Sequence, residues 1–257
     1  MTEDNAEPRR GCDAISVFDA GTGEAHFRGE THLSPGRLTS DSKGTVALAS
    51  PTNTERVIYA LSRTGSDLAR WKVGRLDGPV LATLGAIAIL PDDEHVLVTT
   101  TSQNPTAPQP WLPNRPPFHL EKYRLPASLG GTRRLTGAVA RRKFDALPAV
   151  LMPAAGGARV HLLTDDAVVH TLDAATLEEV AAPIPLPAFL GPRPYVRRTR
   201  ANYMHAALSA DGRYVFANRW AGREISVADL VSRTASAVAL RPDVAFTGGI
   251  AVDHTGA

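Results

Sequence analysis

ALSADGRYVFANRWAGREISVADL, Ala207 to Leu230, is the stretch on which the fold turns. The preceding His205 and Ala206 open a short apolar strand, HAALSA, and Asp211-Gly212 supplies a tight turn. RYVFAN then alternates, with Tyr214 and Phe216 on one side and Val215 and Ala217 on the other. RWAGR reads as a loop, EISVADL as a third strand, and SAVAL, after Arg233-Thr234, as a fourth. Short alternating segments punctuated by turn residues are the pattern of an antiparallel meander. No segment of the chain sustains a helical period, so an all-β fold is expected.

The unit recurs. GAIAILPDDEHVLVTTT, Gly85 to Thr101, has the same first two strands around Asp92-Asp93. PAVLMPAAGGARVHLLTDDAVVHTLDAATLEEVAAPIPL, from Pro148, has all four, turning at Gly156-Gly157 and again at Ala175-Thr176. GTVALASPTNTERVIYALSRTGSDLARWKV, Gly44 to Val73, fits more loosely. AISVFDAGTGEAHF, from Ala14, matches only the second half of a unit, and GGIAVDHTGA, from Gly248, only its beginning. First strands near Val46, Ile87, Val150, Ala207 and Ala251 are spaced by about 40 to 60 residues, the range of propeller blades.

ALSADGRYVFANRWAGREISVADL and ISVFDAGTGE resemble the repeats of the YVTN-type β-propellers, relatives in shape of the WD-repeat proteins. The resemblance implies a β-propeller of four-stranded antiparallel blades, about five of them represented in a single domain over residues 1–257. Residues 1–13 are expected to be a disordered tail, and residues 102–117 a proline-rich loop insertion. GGIAVDH as a first strand, with AISVFDA and EAHFRG as third and fourth, leaves one blade without its second strand. Either a five-bladed ring closes through a three-stranded blade, or the chain is part of a larger six- or seven-bladed ring, the favoured expectation. Such propellers include lactone hydrolases, quinoprotein-like domains, surface proteins and plain binding scaffolds, so the resemblance constrains fold far more than function.

Composition is that of an ordinary globular chain: 257 residues, 43% hydrophobic, 21% charged, mean hydropathy −0.12 and formal charge +2. Cys12 is the one cysteine, which excludes an internal disulfide framework and a cysteine-rich metal site. MTEDNAEPRRGCD is polar where a secretory signal is basic and then apolar, and no run of about 18 apolar residues occurs. A soluble cytoplasmic protein without membrane contact is expected, or a secreted one should a leader be missing.

Blade geometry sorts the loops, because connections from second to third strand and from blade to blade leave on one face. Three are long. Ser102 to Pro117 is proline-rich with Trp111 near its tip; Gly130 to Asp145 carries Arg133, Arg134, Arg141, Arg142 and Lys143. Phe189 to His205 carries Arg193, Arg197, Arg198, Arg200, Tyr195 and Tyr203. Arg219, Trp220 and Arg223 occupy a shorter loop, and the tight turns are expected on the opposite face. Arginine beside aromatics pairs with carboxylate or phosphate and stacks planar groups. The candidate ligand-binding residues are therefore Arg141, Arg142, Arg197, Arg198, Arg200, His205, Trp111 and Trp220, facing a protein partner or an anionic small molecule. The competing expectation is a plain solvated surface. Nothing in the spacing resembles a groove-reading motif, so nucleic acid is not the expected partner.

No G-x-S-x-G, P-loop, G-x-G-x-x-G, H-E-x-x-H or C-x-x-C occurs, and no cofactor or metal is implied. His161 and His170 fall on neighbouring strands without a carboxylate or thiol at ligand spacing. Asp165, Asp166 and Asp173 read as turn residues rather than calcium ligands. The expected role is a non-catalytic binding or scaffolding module. Its alternative is a lactonase-like hydrolase acting on a small anionic ester near the ring axis, for which His205, Arg200 and Glu121 form the one set to test.

Overall fold

The computed structural model describes residues 14–18, 22–30, 35–43, 46–51, 57–62, 68–73, 82–102, 117–126, 133–135, 137–187, 204–219, 222–241, 243 and 250–252. Among them there is no α-helix, and the strands form five sheets. The first is the hairpin β1 (Ala14–Phe18) and β2 (Ala25–Glu30). The second runs β3 (Pro35–Ser40), β4 (Val46–Pro51), β5 (Val57–Ser62) and β6 (Leu68–Val73), all antiparallel. The third orders β7 (Ala82–Ile89), β8 (His95–Ser102), β9 (Phe118–Arg124) and β11 (Ala140–Phe144). Between β9 and β11 the chain contributes β10 (Arg133–Leu135), which pairs parallel to β6 at the edge of the second sheet.

The fourth sheet is β12 (Pro148–Pro153), β13 (Arg159–Thr164), β14 (Val168–Asp173) and β15 (Glu179–Pro185). The fifth is β16 (Met204–Leu208), β17 (Tyr214–Arg219), β18 (Glu224–Asp229) and β19 (Thr234–Ala239). The third, fourth and fifth are antiparallel four-stranded sheets in simple sequence order apart from β10. Successive sheets meet through their first strands: β3 packs on β7, β7 on β12 and β12 on β16.

Burial follows that arrangement. In β13, every residue from Val160 to Thr164 is buried, because this strand has a packed sheet on each side. β15 and β19 are mostly exposed, as suits the last strand of each sheet. Pro183 and Pro185 are tolerated in β15 because an edge strand has amides with no ladder partner to lose. Ile58, Ile87, Val96, Val98, Tyr123 and Leu135 form one core between the second and third sheets. A larger core, including Leu97, Leu120, Leu162, Leu163, Leu172 and Val215, runs through the third, fourth and fifth.

Three expectations are corrected. Val46 opens a second strand, not a first; β3, with sequence PGRLTS, precedes it. That segment lacks apolar alternation and is held by packing on β7, where the Ile89 N–H donates to Thr39 Oγ1 at 3.1 Å. Ile250 to Val252, the described part of GGIAVDH, is not in a strand where a first strand was expected near Ala251; the rest of that stretch lies outside the described residues. Finally, Gly130 to Asp145 is not a loop between blades. It holds β10 and β11, so a fourth strand rich in arginine was concealed in a segment that its charge made look like a loop.

Candidate functional site

Strand alternation divides the connections between two ends of the sheets. At one end lie the β3–β4, β7–β8, β12–β13, β14–β15, β16–β17 and β18–β19 turns, together with the β9–β11 excursion. At the other lie the links β2–β3, β4–β5, β6–β7, β8–β9, β11–β12, β13–β14, β15–β16 and β17–β18. Contacts between sheets bear out the first grouping. The Ser42 N–H, in the β3–β4 turn, donates to Asp93 Oδ1 in the β7–β8 turn at 2.8 Å.

The turn end is acidic because its aspartates build the turns. Asp173 Oδ1 accepts from the N–H groups of Ala175 and Thr176, at 2.9 and 2.8 Å. Asp229 Oδ1 accepts from Val231 and Ser232. Asp211 accepts from the Ser209 hydroxyl and the Arg213 N–H, and Asp92 from the N–H groups of Glu94 and His95. Each such bond favours the charged carboxylate. The Thr176 N–H holds Asp173 below its usual pKa, the Ser209 hydroxyl does so for Asp211, and the Arg213 guanidinium for Asp229. For Asp92, partial burial pushes upward, but the Glu94 and His95 donors outweigh it and the net shift is downward.

The opposite end is basic by sequence. The connections 103–116, 188–203 and 220–223 contain Arg115, Arg193, Arg197, Arg198, Arg200 and Arg223 and no Asp or Glu. The shorter links at this end carry acids as well, Glu55, Asp77 and Asp145 by sequence, and Asp165 and Asp166, which serve the backbone and a neighbouring hydroxyl: Asp165 Oδ1 accepts the Leu147 N–H at 2.9 Å, and Asp166 accepts the Thr164 hydroxyl.

The candidate residues do not converge as expected. Trp111, Arg197, Arg198, Arg200 and Trp220 lie outside the described residues. Arg141 and Arg142 sit on β11, in the body of the third sheet, and the excursion that carries them leaves from the acidic end. Both are ion-paired. Arg141 Nε stands 3.0 Å from Glu121 Oε1, whose buried carboxylate also accepts from Tyr123 Oη at 2.7 Å and Thr100 Oγ1 at 3.3 Å. Arg142 Nη1 stands 3.0 Å from Glu178 Oε2, and its guanidinium covers the Phe144 ring. Glu179, on the same patch, accepts from or pairs with His170 Nδ1 at 2.6 Å, and Phe144 meets His170 edge to face. These clusters tie sheets together: Arg142 links the third to the fourth, as does buried Lys122 Nζ donating to the Ala174 carbonyl at 2.9 Å.

His161 and His170 are not brought together. The register pairs His161 with Thr171 and Leu162 with His170, which sends the two imidazoles to opposite faces of the fourth sheet. Burial, reinforced by Arg159 and Arg233, pushes the His161 pKa down to about 4. Nor do Glu121 and His205 meet: Glu121 shares a face of the third sheet with Tyr123, in the core toward the second. His205 lies on the face of the fifth sheet turned away from the fourth, opposite to Met204. Among the described residues no group of three His, Cys, Asp or Glu side chains could hold a metal ion. No described helix is long and apolar enough to cross a membrane.

One polar residue escaped notice in the sequence. Asn218 on β17 is fully buried, and neither its Oδ1 nor its Nδ2 has a hydrogen-bond partner. Aligning the repeats on their turns gives the signal, since Asn218 then stands where the third sheet has Thr99 and the fourth has Leu163.

No family model and no curated protein matches the chain. Among solved structures, the fold is similar to that of a functionally unknown protein from Desulfotomaculum acetoxidans DSM 771. The TM-score is 0.65 at 12% identity, over 97% of this chain and 69% of that one. At that identity the likeness concerns the fold alone.

Proposed function

We propose that the chain is a β-propeller of the YVTN kind that serves as a non-catalytic binding module, capturing an acidic protein surface on its arginine-rich end. Packing of β3 on β7, β7 on β12 and β12 on β16 supports the architecture, since blades set around an axis meet through their first strands. The observation that carries the function is the separation of charge. Carboxylates at the turn end are engaged in backbone caps, whereas the long connections at the other end hold arginines and no acid. Arginines placed this way attract carboxylates over roughly a Debye length, about 8 Å at physiological ionic strength. Arg141 and Arg142 drop out of the contact set because Glu121, Glu178 and Glu179 already engage them.

A labelled poly-glutamate peptide and a single-stranded DNA of equal charge, titrated separately, test the proposal. The peptide is expected to bind, to be released as salt rises, and to be lost in the triple variant R197E/R198E/R200E with the unfolding temperature unchanged. Capture insensitive to salt, or equal in the triple variant, sinks it. Preference for the DNA replaces the acidic protein with nucleic acid as the partner.

A further inference from the structure

The outer strand of a sheet leaves a row of backbone groups unpaired, and this chain blunts most of its own outer strands. β10 covers β6 and carries Arg133 and Arg134. β11 holds Arg141, Arg142 and Lys143, and β15 holds Pro183 and Pro185. β2, in the first hairpin, holds Arg28 and Glu30 by sequence. β19, with sequence TASAVA, is the exception among the described residues. It has no proline and no charge, and every residue in it but Ala235 is exposed. Its largest side chain, Val238, is 53% exposed.

The hydrogen-bond phase of β19 decides which groups point outward. The Leu240 N–H donates to the Arg223 carbonyl at 2.8 Å, and the register next pairs Ala239 with Glu224. Bonded and unbonded pairs alternate along an antiparallel ladder, so Val238, Ser236 and Thr234 bond to β18. Ala235, Ala237 and Ala239 therefore direct their N–H and C=O groups to the open edge.

We propose that a second copy of the chain pairs there, β19 against β19, antiparallel about a two-fold axis through Ala237. That register pairs the outward groups of all three alanines: Ala237 with Ala237, and Ala235 with Ala239 in both directions. On the opposite face it sets Ser236 beside Val238 and covers the exposed valine. A charged strand opposes like with like across such an axis; this one has no charge to oppose. A foreign strand is selected by charge or by side-chain pockets, and alanine, serine and threonine offer neither. Just past the ladder, the register brings Arg241 of one copy toward Arg233 of the other. Asp243 stands 3.8 Å from Arg241, and Arg233 turns into the fold with its Nη2 buried, so two free cations do not meet. A single strand pair covers less than the about 1,200 Å² of a stable interface, so the dimer is weak and depends on concentration. Because the paired strands run in opposite directions, the two basic ends point apart, and dimerisation does not rest on the proposed function.

Sedimentation velocity of the full chain, from micromolar to submillimolar, is expected to show a reversible monomer–dimer equilibrium. Ala237→Lys sets two like charges on the axis, and Ala237→Pro removes an N–H that bonds nothing within the fold. Each is expected to weaken dimerisation at least tenfold, whereas R197E/R198E/R200E leaves it unchanged. Disulfide trapping in a Cys12→Ser background reads the register. Ser236→Cys mixed with Val238→Cys is expected to cross-link faster than either variant alone, because unbonded antiparallel pairs stand within disulfide reach. A monomer throughout the range overturns the proposal and leaves the edge to a foreign strand. Dimers that survive both Ala237 variants, or that cross-link equally in every mixture, form on another surface and overturn it too.

Discussion

Asp93 and Ser42 are 51 residues apart in the chain, yet the Asp93 carboxylate accepts both the Ser42 N–H, at 2.8 Å, and the Ser42 hydroxyl. The pair clamps the first turn of the second sheet to the first turn of the third. Asp93 also takes a positive φ of 55°, a conformation that Asp and Asn tolerate better than most residues. Asp93→Ala therefore removes two bonds and strains the turn, and is expected to cost about 1–2 kcal/mol. Asp93→Asn keeps the conformation and one acceptor and should lose less than half as much. Urea denaturation of the three proteins checks the order; equal stability of Asp93→Ala and wild type contradicts the clamp.

His161 makes stability depend on pH in a defined window. It is 3% exposed, accepts or donates a 3.2 Å hydrogen bond with Thr171 Oγ1, and is held neutral by burial beside Arg159 and Arg233. Its pKa falls from 6.5 to about 4 on folding, so the unfolded chain takes up a proton first as pH drops. Stability is full above about 6.5 and declines toward pH 4, by up to about 3 kcal/mol from this one group. His119, lowered by its own burial and by Arg141, adds to the slope in the same direction. The capping aspartates have depressed pKa values, so their contribution is present above the usual carboxylate range and vanishes only below it. Denaturation midpoints from pH 7.5 to 4.5 are expected to fall in wild type and to flatten in His161→Leu. The same slope in both excludes His161 as the source.

Much of this organisation was legible in the residues. The fifth and fourth sheets could be drawn strand by strand, because RYVFAN and RVHLLT alternate or run apolar between unmistakable turns. β3 could not, since a first strand that leans on its neighbour needs little apolar alternation of its own. β11 was hidden by charge: ARRKF reads as a solvated loop, but as a last strand it exposes Arg141 and Lys143 and buries Phe144. The candidate site suffered from the same blindness. Arginine content says nothing of whether glutamates on the adjacent strand or sheet, such as Glu121 and Glu178, have already claimed the guanidinium. Conversely, Asn218 looked like an ordinary strand end, and only the burial of its unpaired amide sets it apart.

Gly222 shapes the link between β17 and β18 on the basic end. Its N–H donates to the Arg219 carbonyl at 2.9 Å, and a Cβ added at Gly222 meets that oxygen at 2.8 Å and Arg219 Cγ at 3.1 Å. The oxygen belongs to the backbone and cannot swing aside. Gly222→Ala is thus expected to open the turn and lower stability by about 1–2 kcal/mol. Amide exchange localises the effect: protection should fall at Arg219 and Glu224 and stay unchanged at Leu162 and Leu163, in the middle of the fourth sheet. Uniform loss across both sheets argues instead for global destabilisation, and no loss for a turn that tolerates the methyl group.

Thr99 gives the cleanest contrast with Asn218, because it occupies the same position two sheets earlier in the chain. Its Oγ1 is buried without a partner between the third and fourth sheets, where no open face adjoins it. Valine has nearly the same shape, keeps the β-branch that suits a strand, and removes the unpaired hydroxyl. Thr99→Val is expected to stabilise the fold by about 1 kcal/mol, within the range for an unsatisfied buried hydroxyl. The variant should leave poly-glutamate capture untouched, since nothing at Thr99 reaches the proposed binding surface. Destabilisation by Thr99→Val, measured by urea denaturation, implies that the hydroxyl is already hydrogen-bonded, for instance to a buried water, and the cost assigned to unpaired polar groups at this repeat position has to be withdrawn for Thr99 and weakened for Asn218.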